Sequence, residues 1–465
     1  MPVPDPQAYA IERTLRNPRV MLGVGALLLV APPILLFTVW LLFSWAIIPV
    51  LSSQFWFSII MMALSLFIII HLCAACILAE RKLSAFIQDR KGPDRVGWGG
   101  VLQPVADGVK FLLKEEIIPR NVDRPIYLLA PCIAFCVALL GFAVIPWAGE
   151  IVWPWTDANG EPIKVSTQVA SLDAGILYVL AVGSLGVYAV VLAGWASNSK
   201  YAHYGGMRAT AQMLSYEVPL GLGVLALLLL AGTLRLEEMV NVQAQTGIWY
   251  VFVLPLPFLL VLIAAFAETN RAPFDLAECE QELVAGFHSE YSAMKFALFY
   301  LGEYSHMITN SAVMTALFFG GWAPLPFLSW YSTDATGGVD HTWWNTSWIA
   351  ALIKFHIFWG KICLFIAFYM IIRWTLPRFR FDQLMKLGWK WLVPLGMVMV
   401  FATGALVAFG WVIDPNAPAL QNWLAAGMHL ALNAIVFAAA MWMSQRSGVA
   451  VTGRQDNLPA VAIGR

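Results

Sequence analysis

Ten apolar runs, each close to 20 residues or longer, alternate with polar connections along the chain. Their approximate limits are 20 to 48, 54 to 79, 126 to 147, 172 to 195, 218 to 234, 249 to 267, 293 to 320, 349 to 374, 391 to 411 and 423 to 443. A helix needs about 20 apolar residues to cross the hydrocarbon core of a bilayer. The pattern therefore predicts an all-α fold, a polytopic membrane bundle of about ten transmembrane helices. The first run carries Pro32 and Pro33, which remove backbone donors and kink it.

The polar connections differ in kind. The longest, from Glu80 to Pro125, opens AERKLSAFIQDRKGPDRVGWGG and continues into an amphipathic stretch from about Gln103 to Glu116. There Val101, Val105, Val109, Leu112 and Leu113 share one helical face, and Gln103, Asp107, Lys110 and Lys114 the other, with Pro104 in the first turn. Such a helix between two spans lies in the membrane interface.

Composition agrees with the pattern. Hydrophobic residues make up 60 % of the 465, charged residues 12 %, and mean hydropathy is +0.71. That is too apolar for a soluble domain. Net charge is zero and basic runs are absent, which gives no reason to expect nucleic acid. The N-terminus lacks a cleavable-signal pattern. Charge placement fixes a topology. Apart from Lys164 and Arg235, and from Lys354 and Lys361 within a span, every one of the 28 Lys and Arg falls on one side if both termini are cytoplasmic.

The segment Ala267 to Tyr291, AETNRAPFDLAECEQELVAGFHSEY, packs six carboxylates between two apolar runs: Glu268, Asp275, Glu278, Glu280, Glu282 and Glu290. Acids at membrane depth persist where they face a protein interior or water. Withdrawn from water and crowded together, they hold protons near neutral pH. On a helix Glu278 and Glu282 share a face, and Asp275 stands beside Glu278. Glu217, at the start of one span, and Glu303, within another, are intramembrane acids, and Lys361 is an intramembrane base. The plainer reading for each is a buried pair with a neighbouring helix; function is preferred, narrowly for Lys361. Lys354 snorkels to the interface.

Other groups read more plainly. Cys73-x-x-Cys76 lacks the further ligands of a metal site. His71, His306, His356 and His429 each stand alone in a span, as hydrogen-bonded core, while His288 adjoins the acidic segment. Gly205-Gly206 and Gly97-Trp98-Gly99-Gly100 lack the rest of a nucleotide-binding loop and read as turns. The 21 Trp suit interfacial belts.

Five segments carry a resemblance: 79 to 100 as quoted above, ADGVKFLLKEEIIP (106 to 119), AGWASNSKYAHYGGMRATAQMLSYEV (193 to 218), 267 to 307 beginning AETNRAPFDLAECEQEL, and RWTLPRFRFDQLMKLGWKWLVPL (373 to 395). They resemble the family of quinone-site membrane subunits of respiratory complex I, which spans bacterial NADH:quinone oxidoreductases and their mitochondrial counterpart. The resemblance implies an eight-helix core at 54–411, flanked by extensions at 1–53 and 412–465 that each add a span. It also implies a place in the bacterial inner membrane.

Further implications concern chemistry. The chain would carry no redox centre, flavin or metal of its own. Ubiquinone or menaquinone would enter it as substrate, towards an iron-sulfur cluster on neighbouring subunits. Partners would be hydrophilic quinone-site and iron-sulfur subunits, small membrane subunits, antiporter-like subunits and lipids. Glu80, Arg81, Asp107, Lys110, Arg271 and Phe274 fall along the implied quinone tunnel, and Glu217 and Glu303 on an acidic route to the pumps. For Lys82, Arg90 and Arg95 positive-inside anchoring is the preferred reading. Alternatives are the related subunit of a membrane-bound hydrogenase, an independent ion-coupled transporter, against which the lack of an inverted repeat counts, and a plain membrane anchor, which leaves the acids unexplained.

Overall fold

The computed structural model describes residues 54–156, 162–277, 280–327 and 347–446. The first apolar run and its two prolines lie outside the described residues. The chain is a helical bundle: α1 (Gln54–Ile87), α2 (Gln103–Leu113), α3 (Arg124–Leu140), α4 (Gly175–Ala196), α5 (Lys200–Ala231), α6 (Leu236–Thr246), α7 (Tyr250–Val253), α8 (Pro255–Glu268), α9 (Glu280–Leu283), α10 (Ala293–Phe318), α11 (Trp348–Thr375), α12 (Phe381–Leu387), α13 (Val393–Ala408) and α14 (Ala419–Arg446). Among the described residues the exception is an antiparallel hairpin between α3 and α4, β1 (Glu150–Thr156) with β2 (Pro162–Ser166), pairing Glu150 with Ser166 and Val152 with Lys164.

Among the described residues seven helices are long and apolar enough to cross a membrane. They are α1, α3, α4, α5, α11, the unit running from α12 through a π turn into α13, and α14. The 26-residue α10 has the length but carries Lys295, Glu303 and His306, and α8 has only 14 residues.

Two spans begin or end elsewhere than hydropathy suggests. α1 continues past residue 79 to Ile87, because ERKLSAFI is good helix-forming sequence and Arg271, after α8, and Arg373, on α11, meet the Glu80 charge. α5 starts at Lys200 rather than near 218, so Glu217 stands in mid-helix. Gly205 and Gly206 are accordingly helical, and the expected turn is absent there. A Cβ on Gly205 would lie 2.6 Å from the Gly286 backbone, and one on Gly194 would lie 3.0 Å from Gly206 Cα. The glycines thus let α4, α5 and the 286–288 turn touch backbone to backbone, the way small residues close contacts in lipid.

Polar side chains pin the irregular backbone. Gln243, fully buried on α6, donates to Met239 O, Ala316 O and Leu317 O and accepts from the amides of Tyr250 and Gly320. One side chain thereby fastens the start of α7 to the end of α10. Gln212, fully buried on α5, holds the segment after α8 through Ala267 O at 2.8 Å, Asn270 Oδ1 at 3.1 Å and Phe274 O at 2.8 Å. Without water in the bilayer, such groups must be met from within the protein.

The amphipathic helix α2 forms as expected. None of its residues is buried, and Val105, Val109, Leu112 and Leu113 are exposed apolar groups. It packs against α1 and α10.

Candidate functional site

A cavity of about 760 Å³ lies between α1, α2 and α10. Ile70, Ala74, Ile77, Ala297 and Leu301 make its wall apolar, and Glu80, Arg81, Asp107, Lys110, Tyr304 and Arg373 gather at its polar end. Exposed Ile70, Leu112 and Met294 stand at its rim. The cavity has the size and the apolar-with-few-polar character of a site for a small amphipathic ligand.

Glu80 organises the polar end. It is 4 % exposed, accepts from Arg271 Nη1 at 2.7 Å and from Tyr304 OH at 2.6 Å, and pairs with Arg373. The Arg271 guanidinium also lies over the Tyr304 ring, 4.1 Å from its centroid. A carboxylate held by two guanidiniums and a phenol remains ionised and fixed in place. At the rim, Asp107 accepts from Arg81 at 2.6 Å and Lys110 at 3.1 Å. Partial burial works to raise the Asp107 pKa, but the Lys110 hydrogen bond and the Lys110 and Arg81 charges outweigh it and hold the carboxyl below its ordinary value.

A second polar group lies deeper. Glu268, at the end of α8, meets His306 Nε2 at 3.2 Å and Asn310 Nδ2 at 3.3 Å. Two small cavities, of about 40 and 60 Å³, both touch Glu268 and His306, and Glu303 and Asn270 line the larger. Each has room for water, which needs only about 10–15 Å³ of such space. Glu217 is half-buried on α5 and within electrostatic reach of Glu268.

The expected residues therefore separate into groups. Glu80, Arg81, Asp107 and Lys110 meet at one cavity. Arg271 stands behind Glu80, and Phe274, 6 % exposed, packs against Tyr216 and stacks on Phe379. Glu303 shares a cavity with Glu268, and Glu217 is within electrostatic reach of Glu268. Asp275 is outside any helix, and among the described residues of the acidic segment after α8 the α-helical stretch is the short Glu280–Leu283. Instead of repelling one another, its acids pair with bases the sequence keeps distant, Asp275 with Arg378 at 2.7 Å and Glu282 with Arg208 at 2.6 Å. Glu290 is half-buried, and its carbonyl accepts from Tyr127. Glu278 lies outside the described residues, and Glu280 is described only as helix backbone. Lys361 donates to Phe319 O, Gly321 O and Ala323 O at 2.6, 2.8 and 2.6 Å and lies over Trp249. Its cation serves the C-terminal end of α10, where carbonyls lack helical partners.

The sequence reading assigns no role to Tyr304 or Arg373 and takes His306 for hydrogen-bonded core, whereas it pairs with Glu268. His306 left a usable signal: Glu303, His306 and Asn310 recur at i, i+3 and i+7, one polar stripe on an otherwise apolar helix. Of the histidines read as core, His71, His356 and His429 each bond a backbone carbonyl.

Fold and site together define a polytopic helical membrane protein with an amphipathic cavity at its surface and ionisable groups buried behind it. The chain belongs to the NADH dehydrogenase family, whose model matches residues 58–404. It is 45 % identical over 352 residues to the NADH-quinone oxidoreductase H subunit of Leptospira biflexa, an alignment covering 74 % of this chain and 94 % of the relative. To the H subunit of Flavobacterium psychrophilum it is 46 % identical over 326 residues, 70 % and 90 % of the two chains. To the H subunit numbered 2 in Geobacter metallireducens it is 43 % identical over 369 residues, 77 % and 98 %.

Proposed function

We propose that the chain is the membrane subunit of a proton-translocating NADH:quinone oxidoreductase, forming the quinone access path and the acidic link from quinone reduction to pumping. The observation that carries the reading is one continuous arrangement. The 760 Å³ cavity ends at Glu80, Glu80 is held by Arg271 and Tyr304, and Glu303, beside Tyr304 on α10, opens towards the Glu268–His306 pair.

Chemistry supports this use. A quinone has an apolar isoprenoid tail and a polar head, which suit the apolar wall and the ionic end in that order. Its reduction consumes two electrons and two protons to give a quinol. The electrons come from an iron-sulfur cluster on a partner subunit, and the chain itself contributes no redox centre. Arg81, Asp107 and Lys110 orient the head at the rim, and Glu80 with Arg271 fixes the field at the polar end. The change in charge on reduction acts through Arg271 on Glu303 and from there on Glu268 and Glu217, which pass protons through the water-sized cavities. Arg208, Arg378 and their acids Glu282 and Asp275 hold the intervening segment. In this reading the protein sits in the bacterial inner membrane with both termini cytoplasmic, a core at 54–411 and partner subunits on either side.

Affinity purification of the tagged chain in mild detergent, with identification of co-purifying subunits and an NADH:quinone reductase assay, tests the reading. Recovery with iron-sulfur and antiporter-like subunits and inhibitor-sensitive quinone reduction is expected. Recovery with a nickel-iron hydrogenase, or as a stable lone chain, overturns it.

A further inference from the structure

The family match ends at residue 404, and α14 begins at Ala419. Its faces are arranged in reverse of a soluble amphipathic helix. Leu420, Leu424, Ile435 and Met441 are exposed, whereas Asn422, His429 and Asn433 are at most 4 % exposed. The three polar residues recur at i, i+7 and i+11, one stripe along the face packed on α7, α8 and α13.

Each member of the stripe meets irregular backbone. Asn422 both donates to Asp414 O at 2.7 Å and accepts from Asp414 N at 3.0 Å. His429 Nε2 bonds Trp411 O at 3.0 Å. Asn433 spans the break between α7 and α8: its Nδ2 donates to Val253 O at 3.3 Å and its Oδ1 accepts from Leu256 N at 3.2 Å. The break needs both bonds. In a continuous helix Val253 O would accept from the amide of residue 257, but Pro257 has none. Leu256 N is a first-turn donor of α8, and α8 has no side-chain cap of its own. Val253, Leu254 and Leu256 are buried, so water does not serve them.

We propose that α14 is a brace for α8, with Asn433 the positioning residue that sets the helix whose other end carries Glu268. The proposal rests, for its functional half, on the reading of Glu268 as a coupling acid. α8 is a single helix, about 20 Å long at 1.5 Å per residue, so a shift or rotation at its capped start is carried to Glu268. Removing the amide of Asn433 leaves two main-chain groups unmet in a dry setting, and the break relaxes to find other partners.

The test uses the intact complex in membranes, with Asn433→Leu, which keeps the branched heavy-atom skeleton but removes the amide, and the double variant Asn433→Leu/Pro257→Ala. Alanine at 257 restores an amide for Val253 O, so the double variant leaves one main-chain group, Leu256 N, unmet where the single variant leaves two. In the single variant, hydrogen exchange in the peptide across 253–258 is expected to rise on the order of tenfold. Protons translocated per NADH are expected to fall on the order of twofold, with uncoupled NADH:quinone turnover retained. The double variant is expected to recover a part of each. Unchanged exchange in Asn433→Leu overturns the brace. Faster exchange with undiminished pumping overturns the link to Glu268. If the single variant fails to assemble, assembly of the double variant supports the proposal and its failure overturns it. An unaltered complex that reduces quinone without moving protons sinks the coupling reading instead, and the exchange result still decides the brace.

Discussion

Glu268 Oε1 and His306 Nε2 lie 3.2 Å apart, at the end of α8 and the middle of α10, and Asn310 fastens the other carboxylate oxygen. The pair joins two helices through a charge that neither helix tolerates alone. Removing one member of a fully buried pair costs about 3–5 kcal/mol; with about one-fifth of each side chain exposed, we expect about 2 kcal/mol here. His306→Leu should shorten the half-life of the assembled complex on heating and reduce proton translocation, and His306→Gln, which keeps a donor, should do less. A heat half-life unchanged in His306→Leu would show that the pair contributes nothing.

At the polar end of the main cavity the two ion pairs should behave differently. Arg271 and Glu80 are 12 % and 5 % exposed, whereas Arg81 is 49 % exposed beside Asp107. An exposed pair contributes about 0–1 kcal/mol. Arg81→Ala should therefore leave thermal stability nearly unaltered while raising the KM for quinone. Arg271→Ala should lower both stability and quinone turnover. Normal quinone kinetics in the Arg81 variant would remove that residue from the path.

Glu217 and Glu303 offer a cleaner separation of chemistry from transport. Glu217→Gln and Glu303→Gln keep shape and hydrogen bonding but abolish proton exchange at neutral pH. We expect fewer protons per NADH in each, measured in vesicles with a pH-sensitive dye, with quinone reduction in the presence of uncoupler less affected. Undiminished translocation in both would take these acids out of the route.

His288, between α8 and α10, is 6 % exposed, and burial pushes its pKa down to about 4 from 6.5. The unfolded chain gains a proton as pH falls through 6.5, and the folded chain does not until about 4. Stability is therefore fully present above pH 6.5 and declines as pH falls towards 4, by at most about 3 kcal/mol. Thermal inactivation measured from pH 7.5 to 5 should steepen below 6.5, and His288→Gln should flatten that part of the profile. An identical profile in the variant would assign the acid sensitivity elsewhere.

Local pattern alone is enough to establish the class. Runs such as 172 to 195 and 349 to 374 are apolar over a bilayer's thickness, and the 103–116 stretch is amphipathic at helical spacing, so α4, α11 and α2 were legible from local pattern. The family segments single out Glu80, Arg81, Asp107 and Lys110, and all four line one cavity. Tertiary structure alone decided which charges meet. Asp275 with Arg378, Glu282 with Arg208 and Glu80 with Arg373 are partners across different elements, and no local periodicity encodes a contact of that kind. The same holds for helix limits. α1 runs on through Glu80, and α5 begins at Lys200, because distant side chains stabilise charges that a hydropathy window reads as the end of a span. Local sequence fixes which segments prefer lipid to water; the cost of unmet polar groups in a dry interior decides how those segments are paired.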